Sequence, residues 1–600
     1  MGTGAMLVAG VGMVSPGLAS ASPTGVGARA VNAPHPLAAP NHTPPAQHAA
    51  ATPVRHISHL PFLSSTPRRP EGAVHRTFTV DSSGDATSGT SCASGHAAGT
   101  CTLRAAVAAA DADTGNTDAV DIPAGTHVVL TQDSTVFLDN SMYINGAGAS
   151  VSGNNAAEIF DLYSYASVWI TGLTLEDAHE TNDGGAIYCD DGSLVLSGVT
   201  VTHNVAGYGA GVYGYSYCTV WINDSTFTDN VATGTVVASQ VGRAPTGLAA
   251  NGSGGGVYLD GQSYISRSTF GGSSSAAGNE AEYGAGIYIE GGTAVLTDIL
   301  SSHNFTTEYG YGVGIYNDGV TQLSDSTITG NASAFGAEGV GLYNESNFLA
   351  HDVLIAGNTC SGSSTCDAAG YYDDGDTVND SNLTITGNSC TPGLDEDCYG
   401  TAAYIEASDF TWTGGVISNT RNGSGGSTYD YIEGGAIYAE GSNARFSDIS
   451  ISYTTNNAGA SEGIEGGVIY NDDYTHFDNL SISNTINNGY YIYGGIVYNS
   501  DYLSMDNLGV TDTTNTATHP TGEAYVYGGD VYNDDYYLLN HGSFSSTSST
   551  VRGLASSSNY IEGGAWYNSD YGNLDDVSFW NTTAVVHGNE GYVYGGGVYN

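Results

Sequence analysis

Lysine does not occur anywhere in the 600 residues, so all 11 basic residues are arginines, against 61 aspartates and glutamates. The formal net charge at pH 7 is -50. Proteins bind nucleic-acid phosphates and anionic headgroups with lysine and arginine, and a strong polyanion is repelled by both surfaces. The composition therefore excludes nucleic-acid binding and docking on an anionic membrane face.

Proline and long apolar runs are scarce beyond the N-terminus. Eleven of the 15 prolines fall within the first 70 residues, and no apolar run after the leader reaches the roughly 18 residues that a membrane span needs. The apolar stretch Ala5–Leu18 and the small-residue site Ala19–Ala21 predict a signal peptide over residues 1–21, with an unstructured apolar leader as the alternative. Residues 22–76 are predicted to be a disordered linker rich in proline, alanine and histidine.

One short phrase recurs from residue 184 to the end of the chain: two small residues, a third residue, an apolar residue and usually tyrosine. It has 14 copies at a mean spacing of about 32 residues, and a period of about 20 to 50 residues indicates a solenoid or a propeller. The glycines do not follow the every-third pattern of collagen. The copies end at Tyr188, Tyr213, Tyr258, Tyr288, Tyr316, Tyr343, Tyr372, Tyr404, Tyr438, Tyr470, Tyr498, Tyr532, Tyr567 and Tyr599.

Each copy continues with a turn and two segments that alternate between apolar and polar residues, such as Ser193–Ser197 and Val199–Asn204. A period of two residues predicts strands with one face inward. A propeller blade would need four strands and about 40 residues, more than most copies contain. Residues 118–600 are therefore predicted to form an all-β, right-handed parallel β-helix with three short strands per turn. Many copies close on an asparagine that tolerates a left-handed turn and can stack in a hydrogen-bonded ladder: Asn204, Asn230, Asn304, Asn331, Asn358 and Asn388.

A cap is predicted at the N-terminal end of the solenoid. The segment Thr100–Asp111 is dense in helix formers. An open end of a β-helix exposes apolar side chains and unpaired strand edges, which an amphipathic helix can cover. We therefore expect residues 77–117 to be a capping region with one short helix.

Three segments in this region, Phe78–Val80, Thr100–Val107 and Asp121–Thr126, resemble the CSLREA-type N-terminal segment of secreted right-handed β-helix proteins with a pectin-lyase-like fold. The GGAIY-like phrases, followed by segments such as Ser225–Asn230, look like the repeats of polymorphic outer-membrane-type adhesins. The resemblance covers residues 78–600, with one departure, because the glutamate of the family segment is Ala105 here. It implies export and a pectin-lyase-like solenoid.

The eight cysteines are an even number in a chain predicted to be exported, which indicates structural disulfides. Eight cysteines allow 105 pairings. Locality favours three pairs within loops, and stacking of successive turns favours a pair between Cys189 and Cys218. No metal or redox spacing such as CxxC occurs. The three loop pairs join Cys92 to Cys101, Cys360 to Cys366, and Cys390 to Cys398.

No residue stands out as catalytic. Pectin-lyase-like solenoids host polysaccharide lyases and glycoside hydrolases, but fold analogy alone is a weak argument for activity. A lyase resembling that family needs an arginine or lysine beside the sugar to take a proton. The loop arginine Arg421 is the least implausible candidate for that role. A glycosidase needs two carboxylates at a set distance. Among 61 acidic residues some pair will meet that distance by chance, so such a pair is no evidence of catalysis. We therefore expect no enzyme, with a polysaccharide lyase or hydrolase as the alternative.

Two columns of like residues are predicted in the last third of the chain. Aspartate stands three residues, and tyrosine four residues, after the repeat tyrosine at Asp473, Asp501, Asp535 and Asp570 and at Tyr474, Tyr502, Tyr536 and Tyr571. Tyrosines in a row could stack on sugar rings or on a protein partner. The competing interpretation is that they pack only on one another.

Together these observations predict an exported, extracellular or cell-surface β-helix that acts as an adhesin or structural rod. Its expected partners are carbohydrate or a cell-surface protein. The sequence stops within a repeat, at Gly595–Asn600. We therefore expect the native protein to continue with further turns and a cap.

The aspartate column predicts a requirement for cations. Charges about 4.8 Å apart repel by ~3.5 kcal/mol at an effective dielectric near 20, and no lysine can relieve the repulsion. Raised pKa values, salt screening and bound Ca²⁺ are the three possible remedies. Thermal melting with chelator, with millimolar Ca²⁺ and with NaCl of matched ionic strength separates them. Specific Ca²⁺ sites predict a melting point that rises with Ca²⁺ alone. Equal rises mean screening, and no rise contradicts the charge argument.

Overall fold

The computed structural model describes residues 74–86, 91–132, 135–234, 251–393, 396–423, 431–441, 443–458, 462–554, 557–587 and 591–600. The predicted signal peptide and nearly all of the predicted linker lie outside these ranges and stay predictions. The structure is all-β, with 56% of residues in strands and 2% in helix. The strands pair in parallel between successive turns, so the chain forms a parallel β-solenoid. The predicted fold class is confirmed.

The repeated phrase forms the first strand of each turn. Its apolar residue points into the core and its tyrosine points outward, and each tyrosine pairs in register with the tyrosine of the next turn. About 13 turns separate Tyr188 from Tyr599. These first strands are Val136–Leu138, Phe160–Leu162, Ile187–Ser197, Val212–Asn223, Val257–Leu259, Ile287–Ile289, Ile315–Asn317, Leu342–Asn344, Tyr371–Asp373, Ala403–Ile405, Ile437–Ala439, Ile469–Asn471, Val497–Asn499, Val531–Asn533, Trp566–Asn568 and Val598–Tyr599.

The small residues of the phrase are required by close backbone packing between turns. A Cβ atom added to Gly314 would lie 2.4 Å from the carbonyl oxygen of Gly341 in the next turn. Gly312 has a φ of +50°, a conformation that costs glycine little. The turn before the tyrosine strand therefore accepts almost no side chain at these two positions.

Second strands follow, and in several turns they run on into the third strand or beyond. They begin at the cap with Thr77–Thr79 and Asp118–Asp121, which pair with each other. The others are Met142–Ser152, Ser167–Glu176, Ser263–Ser266, Thr293–Thr297, Val320–Ser324, Phe348–His351, Val378–Thr386, Phe410–Ser418, Ala444–Ser452, Thr475–Gly489, Tyr502–Thr518, Tyr536–Ser545 and Tyr571–Trp580. Separate third strands are His127–Val129, Thr200–Thr202, Thr226–Thr228, Thr269–Gly271, Leu300–Ser302, Thr327–Thr329 and Leu354–Ala356.

A fourth strand in many turns and a fifth strand from Gly310 onward were not predicted, because segments of two to five residues are too short to show alternation. Fourth strands are Val205–Ala206, Val231–Ala232, Phe305–Thr306, Ala332–Ser333, Thr359–Gly362, Ser389–Pro392, Arg421–Asn422, Thr455–Asn457, Ser548–Arg552 and Thr583–His587. Fifth strands form a separate ten-stranded sheet, here called the side sheet. Its strands are Gly310–Tyr311, Ala337–Glu338, Cys366–Asp367, Cys398–Tyr399, Ile432–Glu433, Ile464–Glu465, Tyr491–Tyr493, Tyr525–Tyr527, Asn559–Glu562 and Gly591–Tyr594.

The single α-helix among the described residues is Leu103–Asp111, at the N-terminal end of the solenoid. Thr102 caps it by accepting a hydrogen bond from the backbone N–H of Ala105 at 3.2 Å. Arg104, in the first turn of the helix, donates from Nε to the buried carboxylate of Asp85 at 2.8 Å. The apolar face of the helix joins the core. A short 3₁₀ helix, Ser275–Ala277, was not predicted.

Buried asparagines form a ladder along the core, as predicted. Each side-chain amide donates from Nδ2 to the Oδ1 of the asparagine one turn further on, at 2.9 to 3.1 Å. The same Oδ1 also accepts a backbone N–H of the preceding asparagine, as between Asn304 and Asn331 at 2.9 Å. This ladder comprises Asn204, Asn230, Asn279, Asn304, Asn331, Asn358 and Asn388. A second ladder, with amide distances of 2.6 to 2.8 Å, comprises Asn422, Asn456, Asn487 and Asn515.

All eight cysteines are paired, in the pairs that locality and stacking predicted. The loop pairs are Cys92–Cys101, Cys360–Cys366 and Cys390–Cys398. Cys189 and Cys218 are joined between adjacent turns, with their Cα atoms 5.9 Å apart.

Removal of one amide from the middle of the first ladder is expected to destabilise the solenoid. In Asn331→Ala the backbone N–H of Asn304 loses its acceptor in a fully buried site. Each buried group left unpaired costs about 1–3 kcal/mol. Urea unfolding of this variant should show a lower free energy of unfolding than Asn347→Ala, a half-buried control. Equal stability of the two variants would show that the ladder contributes nothing measurable.

Candidate functional site

The repeat tyrosines form one continuous column outside the main core, and several of its rings, such as Tyr316 and Tyr343 at 7% exposure, are buried. The 14 rings from Tyr188 to Tyr599 stack face to face, with neighbouring centroids 4.5 to 5.4 Å apart. Ring stacking at this separation is attractive beyond the area that it buries. Since both faces of an interior ring are covered by its neighbours, the column offers only ring edges and hydroxyls.

Carboxylates two residues after the tyrosines accept hydrogen bonds from the phenol hydroxyls. Tyr288 donates to Glu290 at 2.7 Å. Further along the column, Tyr372 donates to Glu406 at 2.6 Å, one turn away. The acidic residues on this side therefore tie successive turns together.

The side sheet places a second series of acidic residues beside the tyrosine column. Burial, together with the charges of Glu465 and Asp397, raises the pKa of Glu433 to about 9. Burial also raises the pKa of Glu465 to about 7, although the hydroxyl of Tyr431 lowers it in part. Asp367 has a pKa raised to about 7, by burial first and then by the charge of Glu338. At neutral pH Glu433 is therefore protonated, and Asp367 and Glu465 are each about half protonated.

The predicted ligand-stacking tyrosines form a second, shorter column. Tyr474, Tyr502, Tyr536 and Tyr571 stack with centroids 4.6, 4.8 and 4.4 Å apart. The rings pack on one another, as the competing interpretation of the sequence expected. This packing covers both faces of the two middle rings, Tyr502 and Tyr536. Ligand stacking at these residues stays a prediction.

The predicted calcium ligands lie one turn apart on the surface. The carbonyl oxygens of Asp473, Asp501, Asp535 and Asp570 accept the side-chain amides of the asparagines two residues earlier, at 2.6 to 2.8 Å. Burial raises the pKa of Asp501, and the nearby charge of Asp473 raises it further. These four aspartates do not bring three ligating atoms within 4.8 Å of one another, so calcium stays a prediction.

Within the described ranges, one group of residues meets that metal-ligand geometry: His75, Asp113 and Asp118, near the cap. Two contacts already occupy these atoms. His75 Nδ1 lies 2.6 Å from Asp113 Oδ2, and Arg76 Nε lies 3.4 Å from the same oxygen. The arginine supplies the positive charge that a metal ion would supply.

The tyrosine column changes character at its N-terminal end. Asp161 stands where the repeat places a tyrosine, in register with Phe137 before it and Tyr188 after it. Glu158 lies beside it, and both carboxyl groups are more than nine-tenths buried. Sequence reasoning missed these residues, because the search for the tyrosine phrase passes over the divergent copy Glu158–Tyr163.

Comparisons with protein-family models, with curated proteins and with solved structures find no match for this chain. Across the part of the chain that the structure describes, no helix has the length and apolar character of a membrane span. Function must therefore be argued from the residues themselves.

The buried carboxyl groups predict a solenoid that is more stable in acid. A folded-state pKa above the unfolded value near 4.3 means that the folded protein binds more protons between the two values. Stability therefore falls as pH rises from about 4.5 through 7 and 9, the window set by Glu465 and Glu433. The melting temperature should be higher at pH 5 than at pH 9, and Glu433→Gln should reduce the difference. A melting temperature that rises with pH would contradict this assignment.

Proposed function

We propose that the protein is exported and works as an extracellular or cell-surface rod, acting as an adhesin or structural element. The observation that carries the proposal is the unbroken tyrosine column from Tyr188 to Tyr599, which runs through every turn of the repeat region. Because each turn repeats the contacts of the last, such a solenoid gains length without a new core. A long, regular solenoid suits presentation and spacing better than catalysis.

Two further features support export. Four disulfides are compatible with an oxidising, extracellular location. A net charge of -50 also keeps a protein with many exposed aromatic rings soluble. We infer that the resemblance to CSLREA-type β-helix proteins reflects membership of that group, with a signal peptide over residues 1–21. The docking of the helix through Arg104 and Asp85 fits the capping role of that segment.

The alternative is a polysaccharide lyase or glycoside hydrolase on the same fold. The carboxyl groups with raised pKa values, Asp367, Glu433 and Glu465, are the type of group that serves as a general acid. Structural burial raises pKa values in the same way, and these three groups belong to a series that recurs along the rod. We therefore favour the structural role. The expected partner is carbohydrate or a cell-surface protein.

Full-length protein purified from the culture medium and coupled to beads tests both functions. We expect saturable adhesion to cells or matrix that soluble protein competes away. Beads coated with reduced and alkylated protein are the control for charge alone. The same preparation should show no release of reducing ends or unsaturated products from neutral or acidic polysaccharides. Turnover that is lost in Glu433→Gln would contradict the proposal, as would adhesion equal to that of the control beads.

A further inference from the structure

The rings of the tyrosine column cover one another's faces along the repeat region, but the aromatic rings at its N-terminal end do not. Phe137 and Tyr163 lie 6.4 Å apart at 36°, and Tyr163 and Tyr188 lie 6.4 Å apart at 54°. These rings are tilted rather than stacked, so their faces are not covered by one another. Phe137 is 50% exposed and Tyr163 is 37% exposed. This pair is here called the aromatic patch.

A tight turn two residues after Tyr163 exposes a third aromatic ring, that of Tyr165. Ser164 and Tyr165 have φ values of 65° and 55°, a left-handed conformation that is uncommon for a bulky residue. The backbone N–H of Tyr165 donates to Asp191 at 2.6 Å and holds the turn in place. Tyr165 is 78% exposed.

Two carboxyl groups near the patch, those of Asp161 and Glu158, each have one oxygen without a hydrogen-bond donor. Asp161 accepts the hydroxyl of Tyr163, and its pKa is raised to about 7, by burial first and then by the charges of Asp190 and Asp139. Its Oδ1 and the Oε1 of Glu158 are buried without a hydrogen-bond partner. Thr135 donates to the other oxygen of Glu158 at 3.2 Å.

The charges of the site select among possible ligands. The nearest arginine, Arg104, is held by Asp85 and by the carbonyl of Thr135. A uronic-acid polymer would therefore meet Asp139 and Asp190 without a free cation to receive it. A metal ion is disfavoured, because the carboxyl groups here do not bring three ligating atoms within 4.8 Å of one another. An uncharged sugar meets both requirements, with an apolar face for the rings and hydroxyls for the carboxylates.

We propose that Phe137, Tyr163 and Tyr165, with the carboxylates of Asp139 and Asp190, form a binding site for hexose units of a neutral glycan. The site rests on the proposed adhesin function and gives it a ligand class. The rings provide the flat contact, and the carboxylates accept hydrogen bonds from the sugar hydroxyls.

Isothermal titration of the full-length protein with cellohexaose, laminarihexaose, mannohexaose and maltohexaose tests the proposal. We expect at least one of these neutral oligosaccharides to bind, and Tyr163→Ala to weaken that binding by about tenfold or more. Tyr163→Phe keeps the ring and should bind within about threefold of the parent protein. Tyr217→Ala removes a tyrosine outside the proposed site that is more exposed than Tyr163, at 72% against 37%, and should change nothing. Melting curves equal to those of the parent protein exclude misfolding of the variants.

Three outcomes would overturn the proposal: no binding of any neutral hexasaccharide, equal weakening by Tyr163→Ala and Tyr217→Ala, or binding only of hexameric glucosamine or of polygalacturonate. The last result would mean that charge alone attracts the glycan, or that another site binds it. Failure here is distinguishable from failure of the proposed function. Adhesion without glycan binding would contradict the glycan site and leave the adhesin function standing. Glycan binding without adhesion would contradict the adhesin function and leave the glycan site standing.

Discussion

Self-stacking is the constraint on which the rest of this structure depends. In a parallel solenoid each residue lies about 4.8 Å from its counterpart in the next turn, so every position must tolerate a near-identical neighbour. Asparagine meets this condition, because its amide carries both a donor and an acceptor. Tyrosine meets it through ring stacking. The ladders of Asn304 and Asn331 and the column of Tyr288 and Tyr316 are two forms of the same solution.

Charge is the property that self-stacking tolerates least. Like charges in register repel, and this chain has no lysine to alternate with its 61 acidic residues. The structure relieves the repulsion in two ways. Glu290 and Glu406 accept phenol hydroxyls, whereas Glu433 and Glu465 are buried with raised pKa values. The tyrosine column and the acidic series beside it therefore stabilise each other.

The sequence predicted those features that repeat and missed those that depart from the repeat. The phrase ending in tyrosine predicted the solenoid, and the spacing of cysteines predicted Cys189–Cys218, because both follow from the period alone. The side sheet was missed, since two-residue strands such as Ala337–Glu338 carry no alternation. The site around Asp161 was missed for a different reason. It consists of side chains that break the pattern, and only the register of the turns shows that they stand in the tyrosine column.

Deletion of one whole turn tests the central claim most directly. Removing residues 315–341 joins Gly314 to Leu342 and brings Tyr288 next to Tyr343 and Asn304 next to Asn358. Removing residues 316–341 instead leaves one extra residue and shifts the register, which turns every strand side chain to the opposite face. If self-stacking holds the solenoid, the first deletion keeps a single cooperative transition with a melting temperature close to that of the parent protein, and the second loses it. Equal damage by the two deletions would contradict the account.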